Sequence, residues 1–157
     1  MPDRSAGILL FRRTGGRLEV LLAHPGGPYW AARDEGIWTI PKGMYDPEGE
    51  SSLDAARREY LEEIGSPAPD RLLDLGEARM RTGKLIHAFA AEGDLDTSTV
   101  HSNLFSIEWP RHSGKMEHFP EVDRAEWFAM VEARRRILLG QTVFLERLEG
   151  VLDSGGS

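Results

Sequence analysis

The sequence has no cysteine among its 157 residues. That excludes a disulfide framework, a thiolate metal site and a cysteine nucleophile. Long apolar runs are missing too: nothing approaches the roughly 20 residues needed to cross a bilayer as a helix. The N-terminal residues do not form a signal pattern, because Asp3 and Arg4 precede a short apolar run, Ile8 to Phe11, that stops at Arg12 and Arg13. A cytoplasmic location without membrane association is therefore expected. Positive charge is in deficit. Nineteen Lys and Arg face 26 Asp and Glu, for a net charge of −7, which argues against general binding to nucleic-acid backbones. It does not argue against a small anionic substrate, since divalent cations held by acidic residues reverse the local electrostatics.

What is present fits one domain with a single core, expected over residues 1–152, with 153–157 as a disordered tail. Ser5 to Arg12 and Leu18 to His24 read as strands joined by the turn residues Thr14-Gly15-Gly16. His24 to Pro28 must be a loop, because its prolines and glycines break either regular structure. Ile37 to Ile40 reads as a short strand ending at Pro41. From Ser51 to Ile64 the period becomes helical, with Leu53, Ala56, Tyr60 and Ile64 on one apolar face and Gly65 as the stop. Arg71 to Met80, Lys84 to Ala91, Leu104 to Trp109 and part of Val122 to Met130 read as strands. Val131 to Leu138 and Gln141 to Leu152 read as helices around Gly140. The order predicts a mixed α/β or α+β sandwich, with helices on the faces of a sheet.

The acidic helix carries the chemistry. Glu59, Glu62 and Glu63 are spaced by three and four residues. At about 100° per residue they fall within an arc of roughly 100°. Clustered carboxylates repel one another, and a hard divalent cation relieves that. Oxygen-only ligands select Mg²⁺ or Mn²⁺ over zinc. Arg58 is adjacent, and its guanidinium fork suits pairing with Glu50 or orienting Glu59. On an isolated surface helix the same glutamates would be a solvated face.

The surroundings make the difference. Gly43, Glu50, Arg58-Glu59, Tyr60, Glu62-Glu63 and Gly65, preceded by Trp38-Thr39-Ile40-Pro41-Lys42, resemble the Nudix box. Two departures are visible. Six residues rather than the usual five separate Gly43 from Glu50, the extra one in the loop Tyr45 to Gly49, where added length costs little. The final apolar slot holds Ser66. The resemblance implies an α/β/α sandwich with a mixed β-sheet and the box as loop–helix–loop. It implies Glu59, Glu62, Glu63 and the Gly43 carbonyl as metal ligands for Mg²⁺ or Mn²⁺. It also implies Glu59, held by Arg58, as a candidate general base. Glu121 is a second candidate, since similar enzymes carry a metal-binding or basic carboxylate near that position, and Asp123 is its rival.

Lys42, Arg12 and Tyr29 are the candidate substrate-binding residues: two cations for phosphate and an aromatic able to stack on a base. Trp30 shares the last role. His24, Trp38 and Trp127 read as structural. Arg81 and Thr82 occupy the region where ADP-ribose hydrolases of the family tend to carry a proline. The stretch His24 to Gly43 resembles a broad group of nucleoside-triphosphate pyrophosphohydrolases. The expectation is thus a Mg²⁺- or Mn²⁺-dependent hydrolase of a nucleoside diphosphate-linked phosphoanhydride, of the nucleoside-triphosphate pyrophosphohydrolase kind. A dinucleoside polyphosphate hydrolase and a non-catalytic nucleotide sensor are the alternatives. Its partner is a small nucleotide; the oligomeric state, a homodimer included, stays open.

Overall fold

Alternation along the first strand decides the layers. In β1 (Arg4–Thr14) Ala6, Ile8 and Leu10 point to one side, Leu9 and Phe11 to the other, and all are buried. A strand buried on both faces reads as a continuous apolar run, as Ile8 to Phe11 does. The computed structural model describes residues 2–154. In it the first set packs on Ala55, Ala56, Tyr60 and Ile64 of α1 (Ser52–Ile64). The second set packs with Ala133 of α2 (Met130–Arg136) and Phe144, Leu145 and Leu148 of α3 (Thr142–Ser154). Helices therefore cover both faces of the sheet, as the expected sandwich requires.

The other strands are β2 (Arg17–Pro25), β3 (Lys42–Met44), β4 (Leu73–Arg79), β5 (Leu85–Glu92), β6 (Leu104–Glu108), β7 (Met116–Pro120) and β8 (Val122–Ala129). The main sheet runs β4-β5-β1-β2-β8, with β3 also paired to β1. It is mixed, because β1 and β5 are parallel while β1–β2, β2–β8 and β4–β5 are antiparallel. β6 and β7 form a separate two-stranded sheet. Among the described residues no helix is long and apolar enough to cross a membrane.

Three readings of the sequence need correction. Ile37 to Ile40 is not a strand: it makes only single bridges, Ala23 to Thr39 and Trp38 to Ile137. Its apolar residues are there because Ile37, Trp38 and Ile40 are buried. The Ile40 N–H is taken by the side-chain oxygen of Gln141 at 3.0 Å rather than by a ladder. The strand begins after Pro41, where Lys42 and Gly43 lie opposite Gly7 and Ala6. Leu53 is 41% exposed, and Ala55 takes the place expected for it on the buried face of α1. β7 carries no strand pattern in the sequence, because Met116, Glu117 and His118 are exposed and show no apolar alternation. Helix α3 takes in Asp153 and Ser154 from the stretch expected to be disordered, and 155–157 lie outside the described residues.

Candidate active site

The sequence around α1 sets the helix start and the helix face. Ser51 caps the N-terminus by accepting the Asp54 N–H at 3.1 Å, which satisfies a donor that has no partner within the helix. Burial of Ala56, Tyr60 and Ile64 then turns residues 58, 59, 62 and 63 toward β3 and its flanking loops. The Lys42 N–H donates to Glu63 Oε1 at 3.1 Å. Glu59 is only 7% exposed and lies against Gly43, where a Cβ would come within 2.0 Å of Glu59 Oε2. Residue 43 is glycine because this carboxylate needs the space.

Arg58 is the hub. Its Nη2 donates to Glu50 Oε1 at 2.6 Å, and its Nε reaches both Glu50 oxygens at 3.2 Å. From the same guanidinium Nη1 donates to Glu59 Oε1 at 2.9 Å and to Glu62 at 3.3 Å. The sequence left two partners open for Arg58, Glu50 or Glu59; it holds both, because a planar fork offers separate donors to each. Hydrogen bonding by Glu50 raises the Arg58 pKa, and Arg58 holds the Glu50 carboxyl below its ordinary value.

Glu121 approaches from the other side through Asn103. The Asn103 N–H donates to the Glu62 carbonyl and the Asn103 carbonyl accepts from the Glu121 N–H, each at 2.9 Å. The Glu121 carbonyl in turn accepts from the Gly26 N–H at 2.9 Å. The rival acid, Asp123, is engaged elsewhere: its carboxylate meets Nδ1 of the buried His24 at 2.9 Å.

The electrostatics describe a cluster short of positive charge. Burial pushes Glu63 up to about 8, with the Lys42 N–H and the Lys42 charge opposing and Glu59 and Glu121 adding to the rise. Burial raises Glu59 as well, against its hydrogen bond to Arg58, and the charges of Glu62 and Glu121 add to it. Glu121 is raised by desolvation and then by Glu62. Among the described residues no three carboxylates or imidazoles converge on one point at ligand distance, since Arg58 draws Glu59 and Glu62 toward itself. The donor set nonetheless suits a hard cation. It is all oxygen, it is partly desolvated, and its like charges raise one another's proton affinity.

The proposed substrate residues separate into three places. Lys42 stays at the site and lines a cleft of about 430 Å³ with Met80, Arg81, Lys84, Leu138 and Gln141. Burial lowers its pKa, the Lys84 charge lowers it further, and Glu63 and Glu59 oppose this. Arg12 is not brought to the carboxylates. It pairs with Glu19 at 2.8 Å and Asp94 at 2.7 Å and lies 4.1 Å over the Trp127 ring. Along β1 it stands five residues beyond Gly7, about 16 Å at the rise of a strand. Tyr29 is exposed, packs edge-on to Trp109 at 5.4 Å and accepts from Arg111 Nε at 3.3 Å. Its neighbour Gly27 lies against Phe105 of β6. Trp30 is partly exposed beside Arg33.

Over residues 1–148 the sequence matches the NUDIX domain. The chain belongs to the NUDIX family, and it is a Nudix hydrolase. It is 36% identical over 142 residues to an uncharacterized 17.7 kDa protein of Enterobacteria phage T4, covering 81% of this chain and 86% of that one. It is 30% identical over 120 residues to an ADP-ribose pyrophosphatase of Mycobacterium tuberculosis, covering 74% of this chain and half of that protein's length. Two solved structures share the fold. The NUDIX domain of Shewanella oneidensis NrtR, complexed with ADP ribose, has TM-score 0.63 and 17% identity and covers 97% of this chain and 89% of its own. A Caenorhabditis elegans Ap4A hydrolase, in a binary complex, has TM-score 0.61 and 22% identity and covers 97% and 98%.

Within this Nudix hydrolase, some residues at the site escaped the sequence. Lys84, Leu138, Leu139 and Gln141 line the cleft and are far from the box in the chain. Asn103, which couples Glu62 to Glu121, acts through its backbone, so its identity carries no signal. Gly7 is explained by β3 alone: a Cβ there would lie 2.6 Å from Lys42 Cβ, so glycine lets β3 and Lys42 cross close to β1.

Proposed function

We propose that this Nudix hydrolase cleaves a phosphoanhydride bond of a nucleoside diphosphate-linked substrate, with Mg²⁺ or Mn²⁺ as cofactor and a nucleoside triphosphate as the leading substrate class. The observation that carries the reading is the gathering of Glu59, Glu62, Glu63 and Glu121 around Arg58 and β3. Glu59, Glu62, Glu63 and the Gly43 carbonyl would hold the cation. When bound, it supplies charge neutralisation to the phosphates and polarises the attacked phosphorus.

The side chains do the remaining work. Arg58 keeps Glu59 and Glu62 in fixed relation and is itself fixed by Glu50. Lys42 places an ammonium group beside Glu63, where it attracts a phosphate oxygen. Glu121 takes the proton of the attacking water. Its side chain is exposed and free of hydrogen bonds among the described residues. Desolvation and Glu62 raise its proton affinity, in the direction a base at neutral pH needs. Glu59 suits that role less well, because its carboxylate is buried against Gly43 and committed to Arg58.

The test is hydrolysis of a panel of nucleoside triphosphates and nucleoside diphosphate-linked compounds, with Mg²⁺, with Mn²⁺ and with chelator. Turnover of at least one class that needs the cation and is lost in Glu63→Gln is expected. Hydrolysis that persists in chelator, or none with any substrate, would overturn the reading.

A further inference from the structure

His24 is a fully buried ionisable side chain near the end of β2, and the hydrolysis as described leaves it unused. Both of its ring nitrogens are engaged. Nδ1 meets the Asp123 carboxylate at 2.9 Å, and Nε2 meets the Arg33 carbonyl at 2.7 Å. A carbonyl and an ionised carboxylate only accept, so the ring donates from both nitrogens. Its edge lies against Trp38, with ring centroids 5.0 Å apart. Packing alone does not call for an imidazole here, because an apolar ring would fill the space without burying two polar nitrogens.

Asp123 stands at a fault in the ladder between β2 and β8. Pro25 lies opposite Val122 and His24 lies opposite Arg124, so Asp123 is an extra residue of β8. Burial shows the same break: Val122 is buried, Asp123 and Arg124 are both exposed, and Ala125 is buried again. A bulge of this kind re-aims the side chains on one side of it relative to those on the other. Glu121 comes two residues before Asp123, and Gly26 two residues after His24. The Gly26 N–H holds the Glu121 carbonyl at 2.9 Å, and a Cβ on Gly26 would run into the Pro120 carbonyl. His24 and Gly26 therefore grip Asp123 and Glu121 as a pair.

The other neighbours of the bulge do not replace this clasp. Arg124 comes within 3.8 Å of Asp123, yet its guanidinium donates to Glu126 at 3.1 Å and lies 5.1 Å over the Trp38 ring. Ser102 Oγ accepts the Val122 N–H at 3.0 Å, which holds the residue between and leaves the Asp123 side chain to His24.

Resting on the reading of Glu121 as the base, we propose that His24 is a positioning residue for the hydrolysis: clasped to Asp123, it locks the bulge and so aims the Glu121 carboxylate at the glutamates of α1. His24 touches no substrate and carries no proton of the reaction. Without the clasp the bulge relaxes and Glu121 turns away, while Glu59, Glu62 and Glu63 stay in place on their helix.

The test uses Asp123→Ala, Asp123→Asn, His24→Phe, and Asp123→Ala combined with Glu121→Gln. Asp123→Ala opens the clasp at a partly exposed side chain, so its readouts stand whether or not the buried change in His24→Phe folds. Asp123→Asn keeps the shape and an oxygen that accepts from Nδ1. Amide hydrogen exchange at Gly26 and Glu121 should quicken in Asp123→Ala and His24→Phe and hold in Asp123→Asn, with β1 and β5 protected throughout. With Mg²⁺, kcat should fall roughly tenfold or more in Asp123→Ala, while KM and Mg²⁺ affinity stay near wild type. Asp123→Asn should restore kcat, and Asp123→Ala should cost nothing further in the Glu121→Gln background.

Wild-type kcat in Asp123→Ala, an equal loss in Asp123→Asn, or a further full loss on top of Glu121→Gln would overturn the positioning role. No hydrolysis by wild type, or full kcat in Glu121→Gln, would remove the hydrolase or the base reading instead. Exchange then decides the clasp by itself, and unchanged protection in Asp123→Ala would overturn it.

Discussion

Glu59 and Gly43 share one space: a Cβ built on Gly43 would sit 2.0 Å from Glu59 Oε2 and 2.1 Å from its carboxyl carbon. The contact ties the helix of the box to the strand that precedes it. Gly43→Ala should therefore push the Glu59 carboxylate away from its 2.9 Å bond to Arg58. Overpacking of this kind costs about 1–3 kcal/mol, and misplacing a reacting group lowers rate by on the order of 10². Thermal unfolding and turnover at saturating Mg²⁺ read the two effects. A Gly43→Ala enzyme with wild-type turnover would show that the placement of Glu59 does not matter.

Glu63→Gln and Glu62→Gln keep side-chain shape and remove ligand charge. Both should fold and lose at least about 10²-fold in rate, several kcal/mol of transition-state stabilisation. Any rise in melting temperature that Mg²⁺ gives the wild type should shrink in both, because a ligand stabilises only in proportion to its binding. Wild-type rates in both variants would show the metal assignment to be wrong.

Glu50→Gln should behave differently. Glu50 meets the guanidinium of Arg58, with side-chain exposures of 26% and 38%, so solvent screens the pair and its loss should change the melting temperature little. The rate effect should be smaller than that of Glu63→Gln. An equal effect, measured side by side, would place Glu50 in contact with the cation or the water.

For the base, Glu121→Gln should lower kcat while KM and Mg²⁺ affinity stay near wild type. Glu59→Gln should mainly weaken Mg²⁺ affinity. Metal titrations with pH–rate profiles of the two variants separate these outcomes. The reverse pattern would return the role to Glu59.

Arg12→Ala should leave kcat and KM unchanged, since Arg12 is held by Glu19, Asp94 and Trp127 and does not reach the carboxylates. Removing an exposed ion-pair network and a cation–π contact should cost about 1 kcal/mol of stability. A raised KM in Arg12→Ala would instead put this residue at the substrate.

Local patterns were legible in the sequence wherever one short segment carries both the period and the chemistry. The helix over Ser52–Ile64, its stop at Gly65 and the glutamate face follow from spacing alone, because helical geometry converts sequence separation into angle. The continuous apolar run of β1 follows from burial on two faces. The spacing of Gly43, Glu50, Arg58, Glu59, Glu62 and Glu63 was enough to suggest the family. What the tertiary structure decided are relations between distant segments. It showed that Asp123 is taken by His24 while Glu121 stays open, and that Arg12 faces an ion pair rather than the site. It turned the apolar stretch Ile37 to Ile40 into a buried crossing rather than a strand. It also brought Lys84 and Leu139 beside Lys42. None of these is encoded by a local period, since each depends on which loops the sheet order β4-β5-β1-β2-β8 places side by side.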